Sequence, residues 1–337
     1  MRKLNLCILA LFLLPISAQA QKSLDLMVDG VGLSIGDSEE VTGIRLNFRD
    51  RAMRRVTGIN ATIWMPYNDR GGDVTGLAIG FPLTGGENLT GIGYGWLGVG
   101  ANEDARGIMF GGLGAGAGRD MKGIGFGGLG VGAGRDMTGI IFGGLGAGAG
   151  NDMLGIAFGG LGAGAGNDMT GIVFGGLGAG AGNDMKGIVF GGLGAGAGNN
   201  FTGLAIGGIG TGAGNNFTGI SVSGIATGAG GTLRGLHVAG IAVGGATVRG
   251  IMISGFAAGG EDVHAFSIAP GYFTVPEDGV QRGLSISAFN RIQGEQKGFT
   301  IGILNWARNL SGVQIGLINV AKNKERFKVM PIFNMAR

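Results

Sequence analysis

Residues 171–186 read GIVFGGLGAGAGNDMK, and close copies of this phrase begin at Gly107, Gly123, Gly139, Gly155 and Gly187. The opening Gly recurs at 203, 219 and 235, and then at shorter spacing at 250. Looser copies of the signature, a hydrophobic residue, a small polar one and Gly, stand upstream at Val41-Thr42-Gly43, Val56-Thr57-Gly58, Val74-Thr75-Gly76 and Leu89-Thr90-Gly91. Downstream they recur near Gly283, Gly298 and Gly312. A fixed period with degenerate ends is the mark of a capped repeat stack, in which each unit rests on its neighbours. The divisions it gives are a leader over 1–20, degenerate repeats and a cap over 21–106, a regular array over 107–260, and degenerate repeats with a cap over 261–337.

The columns of the repeat predict its shape. Its second position is Ile from Ile108 to Ile188 and then Leu204, and its fourth is Phe from Phe110 to Phe190 and then Ile206. Two apolar residues two apart define a strand face. A Gly-Gly pair follows, then a column from Leu113 to Leu193, an alternation of Ala and Gly, a polar pair and a column from Met121 to Met185. The alternation changes phase at Gly-Gly, as it would where the chain turns a corner. The expected coil therefore holds Ile and Phe inward on one strand, Leu and Ala inward on a second, and returns through an Asn-Asp corner and Met. Stacked in parallel at ~4.8 Å, such coils form an all-β, Gly-rich parallel β-solenoid or β-roll with coils of about 16 residues. Gly is expected to supply positive φ at the corners and to let the two sheets approach closely.

A second architecture fits the same period. Cut as twelve apolar or small residues and four turn residues, each unit is long enough for a strand of an antiparallel outer-membrane β-barrel. Against this, both alternating sets from Gly171 to Gly182 are apolar or small, every turn is equally short, and the chain ends Met335-Ala336-Arg337 without a terminal aromatic residue. In its favour, Ile141, Val173 and Val189 fall at positions that the expected solenoid turns outward.

Composition narrows the classes further. Of 337 residues 80 are Gly and only 6 Pro, and Gly does not recur every third residue, which excludes collagen. With 45% hydrophobic and 14% charged residues, a disordered Gly-rich tract is excluded as well. Met1-Arg2-Lys3, an apolar stretch and Ala18-Gln19-Ala20 form a secretory signal, so the mature chain is expected to begin at Gln21 and to lack Cys, Cys7 lying in the leader. Without Arg2 and Lys3 the charges nearly balance, so no nucleic-acid partner is expected. Residues 187–233 carry no charge, but their Gly and Asn-Asn pairs rule out a membrane helix.

At the C-terminus the repeat reads Gly298-Phe-Thr-Ile-Gly-Ile-Leu-Asn-Trp-Ala and Gly312-Val-Gln-Ile-Gly-Leu-Ile-Asn-Val-Ala. This resembles bacterial surface-repeat proteins built on G-φ-Q-φ-G-φ-φ-N-φ-A, closely over 298–323 and loosely over the central array. The central array is also similar to head repeats of trimeric autotransporter adhesins, although no coiled-coil heptad is present. The resemblance implies an exported envelope or surface protein and offers no catalytic residues.

Chemistry is sparse. Beyond the leader there are two His, His237 and His264, both expected on the surface or in loops, and no Cys for a Zn site. GGLGAGAGND resembles the calcium-binding nonapeptide, but Ala or Val stands where the liganding Asp belongs. Parallel stacking would align Asp120, Asp136, Asp152, Asp168 and Asp184 as weak metal candidates, with Arg119, Arg135 or Asn151, Asn167 and Asn183 as alternative partners. No phosphate loop, nucleophile elbow or carboxylate pair suited to glycoside chemistry is present. The expectation is a non-enzymatic structural or adhesive protein of the cell surface or outer membrane, without a cofactor. Its partners would be envelope or extracellular surface components, copies of itself, or a membrane. An outer-membrane pore is the alternative, and a calcium-stabilised β-roll a third.

Overall fold

The computed structural model describes residues 23–50, 53–64 and 71–336; the expected leader and Cys7 lie outside them. The described chain is all-β and winds through about 17 turns of a parallel β-solenoid. In the regular array each coil has a long strand, such as Met153–Gly159, and a short one, such as Gly162–Ala165. Each strand pairs in parallel with the equivalent strand one coil away, so Ile140 stands on Ile156 and Phe142 on Phe158. The rings of Phe142 and Phe158 are 4.8 Å apart and 3° from parallel. That spacing is one inter-strand step.

The antiparallel barrel is thereby overturned. Among the described strands only two pairings are antiparallel, and they close the two ends. Ser23–Val28 folds back on Val31–Gly36, and Val329–Met335 lies against Val313–Ala321. Pro331, which has no N–H to offer, sits in the terminal strand, where it blunts an edge that would otherwise template further pairing.

Ala and Met face inward as expected, but the Ile, Phe and Leu columns face outward. Along Met121–Gly127 the inward side chains are Met121 and position 125, while Lys122, Ile124 and Phe126 point outward. Across the coil Val131 and Ala133 face in, and Leu129 stands outside on the corner. The core is thus a ladder of Met, a ladder of Ala, and the variable third position of the repeat, where Ile141, Val173 and Val189 are at most 1% exposed.

The corner explains this phase. A Cβ on Gly111 would collide with the carbonyl oxygen of Gly114, and the same holds at Gly143, Gly159, Gly175 and Gly191. In the regular array the residue facing into the turn is therefore Gly, and Ser223, Ala239 and Ser254, all small, take the same buried position in later coils; on a strand every second residue shares its side. Met109 shares the parity of Gly111; Phe110 and Ile108 do not. Positive φ, expected at the corners, occurs instead inside the long strand, at Gly107 (φ 119°), Gly123 (φ 128°) and their equivalents, each stacked on the Gly of the coil before.

From Ala226 onward the polar corner disappears and single strands such as Ala226–Ala239 and Ala242–Ser254 run through it, with a register shift after Ala229. Near both ends the core turns polar. Arg45, fully buried, pairs with Asp50, donates from Nη1 to Asn60 Oδ1 at 3.1 Å and from Nε to the Ser38 carbonyl at 2.9 Å. At the other end the Asn and Gln of the C-terminal repeat point inward. Asn290 donates to Asn305 at 2.8 Å, Asn305 to Asn319 at 2.7 Å, and Gln314 to Gln296 at 2.9 Å. Buried amides stacked in this way hydrogen-bond from coil to coil.

Candidate functional site

The Asp column lies where the sequence places it, on the corner between the short strand and the next long one. The N–H of Asp168 donates to Asp152 Oδ1 at 3.1 Å, that of Asp184 to Asp168 Oδ1 at 3.1 Å, and that of Asn200 to Asp184 Oδ1 at 3.0 Å. Asp120 and Asp136 take the same bond at 3.4 Å. Each carboxylate thus accepts the backbone amide of the coil above and extends the parallel ladder around the corner. Arg135 adds a two-pronged contact to Asp120, Nε to Oδ1 at 2.7 Å and Nη2 to Oδ2 at 2.5 Å, which holds the Asp120 carboxyl below its ordinary range. Asn199 and Asn200 donate to Asp184 at 3.0 Å each. No group of three or more His, Cys, Asp or Glu among the described residues is arranged to hold a metal ion.

The two histidines part company. His264 is on the surface, with Nε2 3.2 Å from Asp262, which also receives Arg282 at 3.1 Å. His237, expected on the surface, is instead fully buried at the inward third position of its coil. Its Nδ1 is 2.8 Å from Ser221 Oγ, its ring meets Phe217 edge-on at 5.2 Å, and its Nε2 has no partner among the described residues. Burial pulls its pKa down to about 4, so it is neutral at physiological pH. Thr211, Ser223 and Thr227 continue the polar cluster, with Thr227 Oγ1 2.8 Å from Thr211 and 2.9 Å from Ser223. The Ser221–His237 pair resembles half of a nucleophile–base arrangement. It is sealed in the core, where no substrate reaches it.

What the molecule offers to the outside is extended. Three apolar columns run along it without a charged residue. Ile92 to Ile188, continued by Leu204, Ile220, Leu236 and Ile251, form the first. Tyr94 and Phe110 to Phe190, continued by Ile206, Val222, Val238 and Ile253, form the second. Leu97 to Leu193, then Ile209, Ile225, Ile241 and Phe256, form the third, on the Gly-Gly corner. Phe142 is 39% exposed and Leu177 51%, so these side chains are half open to solvent in coil after coil. Neighbouring Phe rings from Phe142 to Phe190 lie 4.6–4.8 Å apart and within 3° of parallel, a continuous face-to-face stack along the outer face. A shallow groove of about 390 Å³ runs beside the Phe column, floored by Gly175, Gly176, Gly191 and Gly192.

Beside the Ile column runs a mixed one: Thr90, Arg106, Lys122, Thr138, Leu154, Thr170, Lys186, Thr202, Thr218, Arg234 and Arg249, with no acidic member. The short-strand face is bare, because its outward residues are Gly. There a trough of about 1060 Å³ opens along Gly194 to Gly260 and ends against Glu261, Thr274 and Pro276.

These outer columns were legible as columns but not as surface. The missed signal is a compensation inside several coils of the array. Where the third position is Gly, at Gly93 and Gly125, the residue six places on is Val99 or Val131; where it is Met109 or Ile141, that residue is Ala115 or Ala147. A Cβ on Gly125 would stand 3.0 Å from Val131 and 2.8 Å from Met121 Sδ, so in these coils the two strands share the internal volume.

Comparison of the chain with protein-family models, curated proteins and solved structures finds no match.

Proposed function

We propose that this chain is an exported structural or adhesive repeat protein of a bacterial cell envelope or surface, acting through extended contact rather than through a catalytic centre. One observation carries the proposal: three exposed apolar columns are kept in register along the stack, whereas a folded stack needs only its interior columns. Contiguous exposed apolar surface on this scale marks a place where another surface docks. The N-terminal secretory pattern and the likeness of 298–323 to surface-repeat proteins support the location.

The test is localisation. Protease added to intact cells should cleave the protein, and fractionation should place it with the envelope or the medium. Recovery as a protease-protected, soluble periplasmic protein would end this proposal.

A further inference from the structure

The Ile, Phe and Leu columns form a band, and its occupant can be argued from its size, period and charge. Between Ile92 and Ile251 the band is ~50 Å long at one inter-strand step per coil, and ~15 Å wide from the Ile column to the Leu corner. That is ~750 Å², close to the ~800 Å² that one partner contributes to a standard protein interface. A partner that keeps contact along the whole band must carry the same ~4.8 Å repeat of apolar side chains, and a second copy of this chain meets that condition.

Charge selects the orientation. Arg106, Lys122, Lys186, Arg234 and Arg249 flank the Ile column, and the acidic residues sit around the next corner. If the two-fold axis crossed the solenoid, cation columns would face each other, and like charges opposed across an interface are unfavourable. If the axis runs along the solenoid, each cation column faces the partner's Leu corner and each Ile column faces the partner's Phe column.

We propose that two copies pair side by side with their solenoid axes parallel, the Ile column of each packed against the Phe column of the other. The proposal rests on the contact-surface function above but is tested apart from it, because mass in solution does not depend on location in the cell.

Sedimentation equilibrium of the purified protein should give twice its single-chain mass at micromolar concentration. Phe142→Glu with Phe174→Glu, both on the outer face, should weaken association at least tenfold while leaving circular dichroism and the melting temperature near those of the parent. Orientation is read from disulfides: chains carrying Ile156→Cys should form them with chains carrying Phe158→Cys in preference to Thr170→Cys chains with one another. A monomeric parent at 100-fold higher concentration would overturn the proposal. So would a folded double-Glu variant that still dimerises, preferential Thr170→Cys pairing, or a monomer that instead floats with phospholipid vesicles.

Discussion

At Ile141 and Phe142, neighbours on one strand, the two sides of the sheet can be compared directly. Ile141 is buried and Phe142 is 39% exposed, stacked on Phe158. Ile141→Ala should cost about 2–4 kcal/mol through lost burial and a residual cavity, and Phe142→Ala no more than about 1.5 kcal/mol. Urea denaturation of the two variants checks the order, which the expected inward Phe column would reverse. Glycines divide in the same way. A Cβ on Gly162 meets nothing nearer than the Gly178 carbonyl oxygen at 3.5 Å, whereas one on Gly175 would collide with the backbone across the corner. Gly162→Ala should be neutral or stabilising by up to about 1 kcal/mol, by restricting the unfolded chain. Gly175→Ala should instead destabilise, by about 2–4 kcal/mol, and thermal melts of the pair decide it. His237 adds a pH dependence. Its folded pKa lies near 4, below the unfolded value near 6.5, so on acidification the unfolded chain takes up the proton first. Stability should therefore fall as pH drops from 6.5 to 4, by about 3 kcal/mol from this group. In His237→Gln that increment should be missing from the difference between melts at pH 7 and pH 4.

The corner is the element whose chemistry the stack re-uses. Oδ1 of each Asp takes the amide of the coil above, and Asn216 does the same for Thr232 at 3.0 Å without a charge. The required property is an acceptor at that place, not a carboxylate. Asp152→Asn should accordingly leave stability within about 0.5 kcal/mol of the parent, while Asp152→Ala strands the Asp168 amide and should cost about 1 kcal/mol. A calcium-held corner would give the opposite ranking for Asn and a melting temperature lowered by chelator. This element was well read from sequence, because a polar turn pair at a fixed spacing can only stack on itself in a parallel array. The long strand was read with its period right and its side wrong. Both alternating sets, Ile-Phe and Met-Ile-Gly at 137–143, are apolar or small, and alternation alone does not say which set meets the core.

For the molecule as a whole, stability is shared among coils through nearest-neighbour contacts. Removing one whole period, 155–170, places Gly171 where Gly155 stood and keeps every column intact. That variant should fold, with the parent's circular dichroism per residue and a cooperative melt. Removing half a period, 155–162, sets a short strand against a long one and should abolish cooperative melting.

The all-β repeat, its period and the places of its corners could be read from the sequence, but identical units can pair in parallel or antiparallel, so the choice of the parallel stack over the barrel came from the structure. The tertiary structure alone decided which residues are core and which are surface. The tight corner admits only Gly or a small side chain on its inner side, so the parity of Gly111 sends Met109 and Ala115 into a narrow shared volume and leaves Ile108, Phe110 and Leu113 outside. What had the composition of a core is the protein's outer face.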